Sequence, residues 1–430
     1  MLPVRHWLRT NRRFVLGALG AWAAGGLAGC GGGGGGAGEG PAAEDPNPHG
    51  TWSGPLSDLQ EDVRFLGLPA PAPVTFQDQT LRQVAHLSLG GDHLRIKFGN
   101  LYGQSPVTLV RVRAALGAGA GAIDVATDVA VTFQGRDSVS IPAGGEIWSD
   151  KVAMRVPDGA DVAVSVYVRS AADGRTAHRY ANAVQYVAPG DLTSAAGLPS
   201  ASANQITSWH WMSAVDVYRA APTRVVVAFG DSLTDGNGST LDAHQRYPDL
   251  LSARFRTSGT RTPVSVVNAG LGGNRWLHDR FGPKGVDRFR RDVLGVSGVT
   301  HAIVQMGIND IGFQWVWTPD EKATTQALTD SLAGVVASAR AAGVQVYLGT
   351  LTPFKGHVYF TEEGERMRQA VNTWIRANTS AAGVFDFDAM VRDPAEPARI
   401  LAAYRADDSL HLNDLGYARL AHGIPIELFV

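Results

Sequence analysis

Residues 224–230 read Arg-Val-Val-Val-Ala-Phe-Gly and run directly into Asp231 and Ser232. An apolar run with three β-branched residues, bounded upstream by Pro222, predicts a strand buried on both faces, as in a parallel sheet. The run stops on glycine and presents an Asp-Ser pair. A serine at the carboxyl end of such a strand lies where open α/β sheets hold their ligands. It also opens the following helix, whose free N–H groups favour negative charge. Taken alone, the pair reads more readily as a capping turn. A base, its orienter and an oxyanion hole further along the chain would change that reading.

Residues 407–417 supply the first two. Asp408 precedes His411 by three residues, close enough to reach the imidazole Nδ1 and leave Nε2 facing a serine hydroxyl. Asn413 and Asp414 read as caps for a last helix. Two further loops follow apolar β runs at 264–267 and 302–306. One reads Asn268-Ala269-Gly270-Leu271-Gly272-Gly273-Asn274 and the other Gly307-Ile308-Asn309-Asp310. Both are expected on the sheet edge that carries Ser232. A glycine N–H, an asparagine amide and the N–H of Ser232 would together make an oxyanion hole.

Gly-Asp-Ser, a Gly-Gly-Asn loop, Gly-x-Asn-Asp and Asp-x-x-His, in this order, resemble the four blocks of the SGNH/GDSL hydrolases. The resemblance covers about the last 210 residues. It implies Ser232 as nucleophile, Gly273 and Asn309 as oxyanion donors, His411 as base and Asp408 as its orienter. Gly270, Gly272 and Gly273 compete for the second block, and Gly273 is preferred because Asn274 follows it. The fold implied for residues 222–430 is a flavodoxin-like three-layer α/β/α domain with five strands. Runs at 344–348 and 384–387 read as further strands, and 243–256, 324–342 and 362–377 as helices. That alternation itself indicates right-handed βαβ units.

Ahead of this domain, residues 1–30 read as a lipoprotein signal peptide. Arg5, Arg9, Arg12 and Arg13 precede a short apolar core that ends in Leu27-Ala28-Gly29-Cys30. Cys30 is the single cysteine, so no intrachain disulfide is available, and it is the expected lipidation site. Arg12-Arg13 leaves the export route open between the general and the twin-arginine pathway. Residues 31–50 read as a glycine-rich tether. Residues 51–195 alternate at 93–98 and 162–168, with more strands at 107–112 and 129–133, and predict an all-β, jelly-roll-like sandwich. Trp148, Tyr102 and Tyr186 either bind glycan or belong to its core, with the core reading favoured. Residues 196–221 read as a linker and docking strand, with His210 a packed histidine.

A net charge of -2 gives no electrostatic case for nucleic-acid binding. No span beyond the N-terminus is long and apolar enough for a membrane helix. The histidines show no metal-ligand spacing, and no cofactor is expected. Asp386 and Asp388 read as strand-end and capping residues rather than a glycosidase pair. Asp231 and Asp310 read as fixing loop geometry. Arg275, Trp276, Phe313, Trp315 and Trp317 follow the oxyanion blocks and are expected to line a substrate pocket.

These features predict an extracytoplasmic, membrane-anchored serine esterase that removes short acyl groups from carbohydrate or aryl esters. Its substrate would be a small-molecule or polysaccharide ester, and it would touch membrane only through the anchor. Alternatives are a lipid or lysophospholipid acylhydrolase, an acyltransferase to sugar, and a non-enzymatic glycan-binding surface lipoprotein.

Overall fold

The computed structural model describes residues 47–199, 204–220 and 222–430. The leader with Cys30 and most of the tether lie outside the described residues.

The strands of the N-terminal half include β1 (Pro48–Ser53), β2 (Gln79–His86), β3 (His93–Gly99), β4 (Arg111–Leu116), β5 (Glu146–Trp148), β6 (Asp161–Val168), β7 (Thr176–His178), β8 (Gln185–Pro189) and β9 (Met212–Tyr218). One antiparallel sheet has the order β1-β9-β3-β5, and the inner strands of a second run β8-β2-β6-β4. The alternation read at 93–98 turns Leu94, Ile96 and Phe98 inward, where they share a core with Val162, Val164 and Val166 of β6.

Several boundaries differ from those expected. β1 starts at Pro48, inside the stretch read as tether, because it pairs with β9. β9 in turn pairs with both β1 and β3, so the segment read as a linker supplies an interior strand of the β domain. The run at 107–112 splits: Val107–Leu109 pairs with Val139–Ile141, while β4 joins β6. The strand expected at 129–133 is only Val129–Ala130.

The C-terminal half contains five strands: β10 (Arg224–Gly230), β11 (Val264–Gly270), β12 (Val299–Gln305), β13 (Gln345–Gly349) and β14 (Gly383–Phe385). All pair in parallel, in the order β11-β10-β12-β13-β14. The run that anchored the sequence reading is therefore the second strand of the sheet, fully buried from Val225 to Phe229. The helices are α1 (Ser232–Asp235), α2 (Tyr247–Thr257), α3 (Gly285–Phe289), α4 (Ile308–Val316), α5 (Thr325–Ala341), α6 (Glu362–Arg376), α7 (Phe387–Val391) and α8 (Asp414–Gly423). One layer contains α2, α7 and α8, and the other contains α3 to α6. Thr324 and Thr361 cap α5 and α6 through the N–H groups of Ala327 and Gly364. Asp386 caps α7, which ends β14 at Phe385 rather than Phe387.

Strand order reverses between β10 and β12, so the loops after them flank the switch point where such sheets bind ligands. Gly230 and Gly270 pair side by side at that edge. A Cβ on Gly230 would lie 2.0 Å from Thr234 Oγ1, and one on Gly270 would lie 2.1 Å from the Asp235 backbone nitrogen. Both glycines let α1 fold tightly over the strand ends.

β11 is an edge strand, and the β domain covers it. The Val266 N–H donates to Ser88 Oγ, and Ser53 Oγ donates to the Asn268 carbonyl, both at 2.7 Å. The halves have separate main cores, yet Asn47–Val430 forms one compact unit, with Val63 and Leu66 reaching into the C-terminal core. Among the described residues no helix is long and apolar enough to cross a membrane.

Candidate active site

Ser232 is the first residue of α1, a single turn in which Asp231 accepts a hydrogen bond from the Leu233 N–H at 3.0 Å. That bond fixes the turn, and burial pushes the Asp231 carboxyl up to about 7. Ser232 is 3% exposed, and its Oγ lies 2.7 Å from His411 Nε2. His411 Nδ1 lies 2.5 Å from Asp408 Oδ2. Asp408 Oδ1 accepts from the N–H groups of Leu410 at 3.0 Å and His411 at 2.9 Å. Ser409 between them has φ 62°, a strained conformation held by those bonds. Burial disfavours charge on Asp408, but His411 and the two backbone donors outweigh it and hold the carboxyl below its usual range. Burial likewise opposes an imidazolium at His411, while Asp408 raises its pKa above 6.5. A hydroxyl, an imidazole and a carboxylate in this chain can activate the serine oxygen.

Of the three competing glycines, two have committed N–H groups. Gly270 donates to Asn268 Oδ1 at 2.8 Å and Gly272 to Asp235 Oδ2 at 2.9 Å. That leaves the N–H of Gly273, whose φ of 76° suits glycine. Asn309 is buried in the first turn of α4, entered through Gly307 at φ 125°. Its Nδ2 donates to the Asn274 carbonyl at 2.9 Å, and a primary amide keeps a second N–H for an incoming oxygen. Asp310 accepts from the N–H groups of Trp276 at 2.6 Å and Leu277 at 2.8 Å, so it ties the two loops together.

Residues 228–419 match the family described as GDSL-like Lipase/Acylhydrolase. Residues 228–419 are thus similar to a GDSL-like lipase/acylhydrolase domain. Solved structures that resemble it include an alpha/beta hydrolase enzyme from the metagenome of Lake Arreo, Spain (20% identity, 47% of this chain and 93% of that one, TM-score 0.38). A carbohydrate acetylesterase from Sinorhizobium meliloti shares 17% identity over 46% of this chain and 95% of that one, with TM-score 0.36. A lipolytic G-D-S-L family member from Veillonella parvula DSM 2008 shares 16% over 47% and 96%, with TM-score 0.34. No curated protein matches the chain.

Three of the residues expected to line a pocket, Arg275, Trp276 and Phe313, are instead buried. Arg275 is 1% exposed, pairs with Glu321 at 2.5 Å and lies over the Phe313 ring. Trp276 is fully buried, with its indole N–H donating to Ser331 Oγ. Phe313 is also buried, in edge contact with Trp317. Sequence proximity to Gly273 suggested a pocket, but the Asp310 clamp turns residues 275 and 276 into the core. Trp315 is 38% exposed, with Lys322 above its ring.

The aromatics weighed for glycan binding are engaged internally. Arg95 covers Trp148, the Tyr102 hydroxyl points to the Leu56 carbonyl, and Tyr186 is buried. His210 is a packed histidine, bonded to Gly174 and Ser208 and pushed down to about 4 by burial. Asp386 caps α7, and Asp388 pairs with Arg368 inside the domain.

Two features of the structure carry no signal in the sequence pattern. Arg288 is buried and donates to Asn274 Oδ1, the Ala269 carbonyl and the Gly230 carbonyl, which staples both strand ends to the oxyanion loop. The fold also assembles His86, Asp161 and His244, which the sequence spacing does not suggest, with ligating atoms within 4.8 Å of one another. The two rings stack at 3.8 Å and 16°. Asp161 serves both, at 2.8 Å from His86 Nδ1 and 3.5 Å from His244 Nε2.

Proposed function

We propose that the protein is a serine carboxylic-ester hydrolase that works through an acyl-enzyme. The observation that carries this reading is the unbroken chain from Ser232 Oγ to His411 Nε2 at 2.7 Å and from His411 Nδ1 to Asp408 at 2.5 Å. Ser232 Oγ attacks the ester carbonyl carbon while His411 Nε2 takes its proton. Negative charge forms on the carbonyl oxygen, which the N–H groups of Ser232 and Gly273 and the Asn309 amide receive. The carbon–oxygen bond to the alcohol then breaks, and His411 returns the proton to the leaving oxygen. Water, deprotonated by His411, attacks the acyl carbon, the bond to Ser232 Oγ breaks, and His411 returns the proton to that oxygen as the acid leaves.

The near-complete burial of Ser232 and His411 favours a short acyl group such as acetyl, on a carbohydrate or aryl alcohol. The test is turnover of p-nitrophenyl esters from acetate to laurate, alongside acetylated xylan. The reading predicts a kcat/KM that falls with chain length and release of acetate from xylan. A preference for laurate would replace it with a lipid acylhydrolase, and no turnover of any ester would overturn it.

A further inference from the structure

We propose that the β domain sets the oxyanion loop through His178, a positioning residue that reaches Gly272 by way of Asp235. This rests on the esterase reading for its kinetic consequence, while its structural content stands apart from it. His178 ends β7 and is 2% exposed. Its Nδ1 lies 3.0 Å from the Pro55 carbonyl, and its Nε2 lies 2.9 Å from Asp235 Oδ1 and 3.1 Å from the Tyr180 carbonyl. All three partners are acceptors. Both ring nitrogens must therefore donate, and the ring that satisfies them is an imidazolium.

Asp235 divides its carboxylate between the two domains. One oxygen takes the imidazolium, and the other takes the N–H of Gly272, the residue before Gly273. Asp235 also closes the turn that begins at Ser232. From the other side, the Tyr180 ring presses on Gly272, where a Cβ would lie 2.5 Å from the ring. The loop is gripped between a carboxylate held by the β domain and a ring supplied by the β domain. Gly273 can then present its N–H only if this grip holds.

The grip is sensitive to pH in a stated direction. Burial opposes charge on His178, but Asp235 and the Pro55 carbonyl outweigh it and raise its pKa above 6.5. Arg246, the like charge from the segment ahead of α2, works against the imidazolium and is itself engaged by Asp249. The Trp209 ring, 5.4 Å away, carries no charge. The raised pKa means the contribution is complete below the unfolded value and is lost as pH rises through the folded value. Neutral His178 would leave an acceptor facing a lone pair, and Asp235 would lose its cation.

The experiment compares wild type with His178→Gln, which keeps one donor but cannot carry charge, and His178→Ala. The first readout is hydrogen exchange of residues 270–274 at rising pH, followed by mass spectrometry. Protection relative to the intrinsic exchange rate at each pH should fall about tenfold or more in His178→Gln at neutral pH, and should fall in wild type only on the alkaline side. The second readout is kinetics with p-nitrophenyl acetate. His178→Gln should lower kcat by about 10-fold to 10²-fold with little change in KM, and should lose the alkaline fall in kcat expected of wild type. If His178→Ala fails to fold, His178→Gln and the wild-type pH profile decide. Unchanged exchange and an unchanged alkaline limb in a folded His178→Gln protein would overturn the proposal. Normal exchange behaviour with an inactive wild type would instead overturn the esterase reading alone.

Discussion

Asp408→Asn keeps the shape of the carboxylate and removes its second acceptor. In the native loop Oδ1 takes two backbone N–H groups and Oδ2 takes the imidazole Nδ1–H. An asparagine has one oxygen and one NH2 group, so one of those sides must face a donor. Keeping the oxygen toward the two backbone donors preserves one more hydrogen bond, worth about 1 kcal/mol. The NH2 group then faces Nδ1 and drives the ring proton to Nε2, where it points at Ser232 and cannot accept. Wrong-tautomer variants of the corresponding residue in other serine hydrolases lose about 10⁴-fold in kcat. That is about 5 kcal/mol of transition-state stabilisation, at about 1.4 kcal/mol per tenfold. The assay is kcat on p-nitrophenyl acetate at neutral pH, with circular dichroism to establish folding. A folded Asp408→Asn protein within tenfold of wild type would refute the assigned role of the carboxylate.

Three further outcomes are expected. Asn309→Ala should lower kcat about 10²-fold or more with a small change in KM, because the amide bond strengthens as charge builds on the carbonyl oxygen; steady-state kinetics measure both. The acid limb of kcat/KM should lie above 6.5, because His411 must be neutral to act and its pKa is raised by Asp408. That limb should survive Asp231→Asn, although burial pushes Asp231 up to about 7, and His357 does not contribute because burial pushes it down to about 4. Cys30, if it carries the lipid anchor, should hold the wild type in the membrane fraction while Cys30→Ser becomes soluble; identical soluble partitioning of the two would discard the anchor.

The parallel sheet was legible because its strands are local apolar runs, and because the loops bearing Ser232, Gly273 and Asn309 each follow one of them. The β domain was less so. β1 and β9 bond across more than half the domain's length, and nothing local in Pro48–Gly50 announces a strand. Arg275 and Trp276 lie next to Gly273 in sequence, which suggested a pocket; the Asp310 clamp that turns them inward comes from a different loop. His178 is an isolated histidine, 57 residues from the carboxylate it serves. Its meaning exists only once β7 is laid against α1.

The proposed mechanism turns on Ser232 as the nucleophile. Its most direct measurement is intact mass and peptide mapping after treatment with an aryl dialkyl phosphate, which phosphorylates an activated serine and traps it. One adduct is expected, on the peptide carrying Ser232, absent from Ser232→Ala and from His411→Ala, with esterase activity lost in step with labelling. An adduct elsewhere, or full turnover by a folded Ser232→Ala protein, would contradict it.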